Sequence, residues 1–414
     1  MSDKSEAEAA IFEAIIDGAH GVKERVQELR RELHSAPELS GEEEKTSNLV
    51  AGVLESLGVE MRRNVGGHGI IALIRGGAGE GRTIALRADM DALPIQDSKD
   101  VDYASDVPGV MHACGHDVHT SVLLGTAMVL AAVKDRIKGT IKLIFQPSEE
   151  RSITGASMMI EDGALLDPRP GAIVALHCFP EMEAGTIAHK AGIMTASADK
   201  FKVVVLGKSG HASRPHQCVD AVLLSALVVN AMQHIVSRRT DPLHHAVISI
   251  GTIHGGTALN VIADRVEMEG TVRTLSKGAR MQVRAFVEDT IRGVTEGMGG
   301  GYELDYEFGT PAVVNDAAVD GLISRCATHV IGEDNVITMP DPKMGAEDFA
   351  YFTEQIPGAL FRLGTSNKAK GLTAKLHSSD FDVDEKALEV GVKTLAWLSV
   401  CYLIKGLPDI KPCP

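Results

Sequence analysis

The chain has 414 residues, 44% of them hydrophobic and 23% charged. That is an ordinary soluble globular composition, too long for one core, so two domains are expected. A formal charge of -15 at pH 7 argues against nucleic acid or an anionic membrane as the main partner, because both select a basic surface.

The first residues, Met1 to Glu6, show no basic start followed by an apolar core, so no signal peptide is expected. Amphipathic helices are expected over 20–33, stopping before Pro37, and over 42–57, closed by Gly58. Short apolar runs at 70–74 and 83–86, joined by a glycine-rich turn, read as strands. A helix at 118–134, a strand at 140–145, a helix near 155–161 and a strand at 172–176 follow. Strands alternating with helices predict an α/β layer with a parallel or mixed sheet, whose sites gather beyond strand C-terminal ends. From Phe201 the texture changes to several strands and two helices, a self-sufficient α+β unit, after which the α/β texture resumes and ends in a helix near 385–402. The apolar stretches Leu123–Val133 and Ala221–Met232 read as buried helices too short to span a bilayer. Cys114, Cys178, Cys218, Cys326, Cys401 and Cys413 form no C-x-x-C pair, which suits a reducing cytoplasm better than a disulfide framework.

The densest chemistry lies in Met111-His112-Ala113-Cys114-Gly115-His116-Asp117-Val118-His119. Thiolate, imidazole and carboxylate bind zinc-like ions, and Gly115 lets Cys114 and His116 point to one spot. The alternative is a histidine-rich loop around a buried cysteine. Asp89 and Asp91 follow a strand and point to the same side, as turn caps or as functional carboxylates. Glu149 and Glu150 follow another strand. Adjacent carboxylates suit a solvated turn, or a divalent cation that one ligates while the other holds water against it. His177, at a strand end, and His377 have the standing of structural histidines. Farther on, His211 sits in a glycine-flanked turn, while Asn260 and Arg273 could supply an amide and a guanidinium, the latter suited to a carboxylate.

Seven segments in order, R-R-E-L-H-S-A-P-E-L-S, R-A-D-M-D-A-L-P, M-H-A-C-G-H-D-V-H-T, F-Q-P-S-E-E, L-H-C-F-P, G-H-A-S-R-P-H and M-G-A-E-D-F, resemble the co-catalytic metallopeptidase family of aminoacylases and glutamate carboxypeptidase. The nearest branch is that of hippurate hydrolases, N-acyl-amino-acid amidohydrolases and auxin-conjugate hydrolases. The resemblance implies a mixed-sheet α/β catalytic domain sandwiched by helices, 1–198 and 312–414. Into it would be inserted a smaller α+β, ferredoxin-like lid and dimerisation domain, 199–311. It implies Cys114, His116, Glu150, His177 and His377 as ligands of two divalent ions, Zn foremost with Mn, Co or Ni as alternatives. Glu149 matches the general base and Asp91 a residue orienting a ligand. His211 would stabilise the oxyanion, with Asn260, Arg273 and Gly345 at the substrate. Wider relatives carry an Asp in place of His116 and a His in place of Asp89, so no bridging ligand is assigned. The expected activity is hydrolysis of N-acyl-L-amino acids by a cytoplasmic homodimer or tetramer. The competing readings are a dipeptidase or carboxypeptidase, and an inactive metal-binding protein.

Overall fold

The computed structural model describes residues 3–151 and 155–407. Within it the chain divides into two compact units. The larger takes the chain up to Gly192, Val314–Asp341 and the part from Asp348 onward; the smaller is Ile193–Val313 with Pro342–Glu347.

The larger unit opens on α1 (Asp3–Gly21), α2 (Lys23–Ser35) and α3 (Glu44–Ser56). The single opening helix expected from the sequence is thus preceded by a separate one. That helix, α1, buries only the narrow stripe Ile11, Ile15 and Ala19, a weak periodic signal. Then come β1 (Glu60–Val65), β2 (Gly69–Arg75), β3 (Thr83–Asp89), α4 (His116–Val133), β4 (Thr140–Gln146), α5 (Gly155–Glu161), β5 (Ala172–Glu183) and β6 (Ile187–His189). The smaller unit supplies β7 (Ser197–Leu206), α6 (Ala221–His234), β8 (Ala246–Gly255), β9 (Arg265–Thr274), α7 (Lys277–Gly297) and β10 (Gly301–Glu307). The chain completes the larger unit with α8 (Ala317–Ile331), β11 (Val336–Thr338), β12 (Gly358–Ser366) and α9 (Lys386–Lys405).

Eight strands of the larger unit form one sheet in the order β1-β2-β4-β3-β5-β12-β6-β11. Its centre, β4-β3-β5-β12, is parallel, and β1, β2 and the β12–β6 pair are antiparallel. The central strands are apolar on both faces, as a sheet covered by helices on both sides requires. Helices α1, α2, α4, α8 and α9 bury Ile15, Val26, Leu123, Leu124, Ile323 and Leu395 in that core.

In the smaller unit β8-β9-β7-β10 pair antiparallel throughout. Numbered within the unit, that is strand order 2-3-1-4 with a helix after the first and third strands, the ferredoxin-like arrangement. Phe201, Val203, Val266, Met268 and Val272 from one face of the sheet pack on Leu224, Val228, Val283 and Val287 of α6 and α7.

Three helical stretches, His116–Arg136, Ala221–Arg239 and Lys386–Lys405, are long and apolar enough to cross a membrane by length and composition. This corrects the expectation that the apolar stretches are too short, because flanking residues extend the helices that contain them. The first and third are 83% and 78% buried, the second 33%. Helix α6 is therefore not the buried helix expected: Val222 and Leu223 stand half exposed on its outer side.

Candidate metal centre

The ligand-rich motif forms a tight turn into the first turn of α4. Gly115 adopts φ 87°, and a Cβ there would lie 2.7 Å from the Cys178 sulfur. Only glycine fits this turn, and it brings Cys114 and His116 to the same side. The ring of His116 is fixed from behind: Nδ1 donates toward the Asp91 carbonyl oxygen at 2.8 Å, with Asp91 Oδ1 at 3.1 Å. Its Nε2 is buried with no hydrogen-bond partner. Asp91 is held in turn by the Ser40 hydroxyl at 2.6 Å and by the Glu150 backbone N–H at 3.0 Å. One carboxylate thus orients the imidazole and sets the backbone of the neighbouring carboxylate.

His177 lies mid-strand in β5, not at a strand end as expected, because Cys178 and Phe179 continue the pairing with β12 and the strand resumes it, after a register shift, at Glu183. Its Nδ1 donates to the Cys178 carbonyl at 2.8 Å, and its Nε2 lies 3.6 Å from the Cys114 sulfur. His377 adopts φ 63°, a left-handed conformation costly for a side chain bearing a ring. It is tied by its N–H to the Ala113 carbonyl, and its Nε2 reaches within 3.4 Å of Glu150 Oε1. Ser148, just before the glutamate pair, is also left-handed at φ 56°. Its N–H donates to Glu43 Oε1 at 2.8 Å.

Donor atoms within 4.8 Å of one another group as Cys114, His116 and His177; as Cys114, Glu150 and His377; and as His116, Glu149 and Glu150. Cys114 is common to the first two. Thiolate, imidazoles and a carboxylate are the donors of a borderline-soft divalent ion. His116 Nε2 and Glu150 Oε1 are both buried without a hydrogen-bond partner, so the residues fit such an ion. The electrostatics agree. Burial pushes the Cys114 thiol well above its usual range. Burial would lower His116, but the Asp89 and Cys114 charges outweigh it and raise it well above.

Asp89, His116 and His119 also lie close together, but His119 is spent. Its Nδ1 donates to Asp89 Oδ1 at 2.6 Å and its Nε2 accepts the Cys178 N–H at 2.8 Å. Asp89 is held by Arg87 at 2.6 Å. Burial opposes its charge, and His116, Arg87 and His119 nevertheless keep it well below the usual carboxylate range.

A second buried network lies beneath the glutamate pair. Arg87 donates to Asp348 at 2.7 Å and to Gln146 at 2.8 Å, and Gln146 donates to Asp348 at 2.7 Å. The Asp348 N–H then meets Glu149 Oε1 at 3.3 Å. Sequence reading missed Ser40, Arg87, Gln146 and Asp348. All four fall inside the quoted segments, but no local pattern marks them. His34 is buried and its Nδ1 lies 2.7 Å from Asp117 Oδ2.

His211, Asn260, Arg273 and Gly345 belong to the smaller unit. His211 pairs with Val261 in a two-residue ladder beyond the end of β7, and Ala212 donates to the Asn260 carbonyl at 3.1 Å, so these two are neighbours. The His211 Nδ1 accepts the Ser213 N–H at 3.1 Å, which leaves Nε2 as the donor of the neutral ring. Arg273 pairs with Ala198 near the opposite end of β7, and Gly345 accepts from Ala196 beside it. At ~3.3 Å per residue the two pairs stand about 25 Å apart along the strand. One copy of this unit does not bring all four together.

The family model for peptidase family M20/M25/M40 matches residues 85–399. A thermostable carboxypeptidase of Saccharolobus solfataricus is 38% identical, covering 95% of this chain and 99% of its own. An N-acetyl-L-cysteine deacetylase of Bacillus subtilis is 40% identical over 87% of this chain and 84% of its own. A dinuclear metal-binding peptidase structure from Bacillus subtilis superposes with TM-score 0.80 at 35% identity, covering 93% and 99% of the two chains.

Proposed function

The chain belongs to peptidase family M20/M25/M40 and is a hydrolase of amide bonds; from that premise we propose that it releases free amino acids from N-acyl-L-amino acids. The observation that carries this reading is Glu149. It stands in a group with His116 and Glu150, yet the Asp348 N–H holds it. A carboxylate so placed serves as a general base rather than only as a ligand. The deacetylase at 40% identity supports an acyl amino acid as substrate.

Cys114, His116, His177, Glu150 and His377 would hold two divalent ions, zinc being the best match to these donors. Bound there, the ions supply Lewis acidity toward water and the acyl carbonyl. Glu149 takes the proton of the attacking water and returns it to the leaving amine. Asp91 keeps His116 in the tautomer whose Nε2 is free to ligate. His211 donates from Nε2 to the developing oxyanion, and Arg273 anchors the substrate carboxylate. Because His211 and Asn260 stand far along the sheet from Arg273 and Gly345, a homodimer in which a second copy supplies His211 and Asn260 accounts for all four.

The test is free amino-acid release from N-acetyl, N-benzoyl and indole-acetyl amino acids, with and without chelator. Release that chelator abolishes and added zinc or manganese restores is the expected result. Metal-loaded protein that leaves every acyl amino acid intact but trims peptides from their C-terminus would replace this reading with a carboxypeptidase, the activity named for the 38% identical relative.

A further inference from the structure

Away from the metal centre, α8 and α9 pack side by side in the larger unit and carry one cysteine each into their shared wall. Cys326 is 3% exposed and Cys401 7%, and both line a cavity of about 630 Å³ that α1 closes on its third side. The two thiols are free and unbridged. The two cysteines thus face one cavity from adjoining helices. Phe12 and Trp397, edge to face at 4.9 Å, form an apolar part of the same cavity wall.

We propose that Cys326 and Cys401 form a dithiol modification site, which a small hydroperoxide entering this cavity converts to a disulfide joining α8 to α9. Two cationic side chains bear on its chemistry. Arg325 and Lys405 line the same cavity and both act electrostatically on Cys326. Their positive charges favour a thiolate there, against the Cys401 hydrogen bond and burial, which hold the thiol well above its usual range. Lys405 is in turn fixed by an ion pair with Glu8 of α1.

The chemistry balances with that oxidant. One thiolate sulfur attacks a peroxide oxygen, the O–O bond breaks, and the departing hydroxide is protonated to water, leaving a sulfenic acid. The second thiolate attacks the sulfenic sulfur, the S–O bond breaks, and its hydroxide also leaves as water. Two thiols are oxidised by two electrons and one peroxide is reduced to two waters.

The experiment uses the unaltered full chain. Reduced protein, freed of reductant, is treated with hydrogen peroxide, blocked with N-ethylmaleimide and digested without reductant for mass spectrometry. A peptide pair joined through Cys326 and Cys401, lost on adding dithiothreitol, is expected. In Cys401→Ser the remaining Cys326 should stop at a sulfenic acid that dimedone traps. Recovery of both residues as separate maleimide adducts, or as unlinked sulfinic acids, or joined to other cysteines, overturns the proposal.

Discussion

The Asp348 backbone N–H donates to Glu149 Oε1 at 3.3 Å, while the Asp348 carboxylate is gripped by Arg87 at 2.7 Å and Gln146 at 2.7 Å. The proposed base is therefore aimed by main chain, and the main chain is aimed by a buried ion pair. Glu149→Gln keeps the shape and loses the proton acceptor. Its kcat should fall roughly 10²–10⁴-fold with metal content unchanged by elemental analysis. A variant with near-normal kcat would remove Glu149 from the mechanism.

Asp348→Asn separates aiming from proton transfer. Glu149 remains, but the segment that supplies its N–H loses the charge Arg87 holds. A displacement on the order of 1 Å at a reacting group costs about 10²-fold in rate. The expected outcome is a drop of that size in kcat with KM and metal stoichiometry held, in protein whose thermal melt is still cooperative.

Gly115→Ala should cost the centre its metal. The φ of 87° strains any other residue, and the new Cβ would meet the Cys178 sulfur at 2.7 Å. Isothermal titration of the apo variant with zinc should show binding weakened by at least tenfold. Unchanged affinity would mean that the turn relaxes without moving Cys114 or His116.

The two neighbouring histidines of this motif should part company. His116→Ala removes an unpaired buried nitrogen facing the cluster and should lose metal. His119→Ala strands the Cys178 N–H and removes the hydrogen bond to Asp89 Oδ1, which costs about 1–3 kcal/mol per buried group. It should lower Tm while the metal stoichiometry stays that of the parent. Loss of metal in His119→Ala with stability intact would make His119 a ligand.

Lys142 gives a pH signature unrelated to the centre. Its ammonium is buried in β4, donates to the Ala164 carbonyl at 3.0 Å, and burial lowers it from 10.5 to about 8. Below about pH 8 both folded and unfolded chains hold the proton, and burial of that charge costs stability in full. Between about 8 and 10.5 the unfolded chain binds more protons than the folded one, so this contribution to stability rises with pH. Urea melts of Lys142→Met should lack that rise relative to the parent. Parallel curves for the two proteins across the interval would place the pKa elsewhere.

Much of this was legible in the sequence. The motif around Cys114 and the adjacent Glu149 and Glu150 announce a cluster by residue type and spacing, and the central strands announce themselves by apolar runs. Asp348 and Arg87 could not be paired from sequence, because their contact joins segments with the whole smaller unit between them and nothing periodic marks it. His119 looked equal to His116 by composition. Only the bonds at both of its nitrogens separate them. The extension of β5 through Pro180 escaped because proline usually ends a ladder, whereas here the strand runs on beside β12. The return of 342–347 to the smaller unit has no sequence signal at all.

The ligand cluster also has a history written into its order. A chain emerging from the ribosome presents Cys114, His116, Glu150 and His177 early, then must make the whole of the smaller unit before His377 exists. Up to that point Cys114 and Glu150 lack the imidazole that closes their group. On the proposed ligand assignment, loading of both ion positions would be a late event in the life of each molecule, after nearly all of it has been translated, and an early ion could occupy at most the half built around His116 and His177.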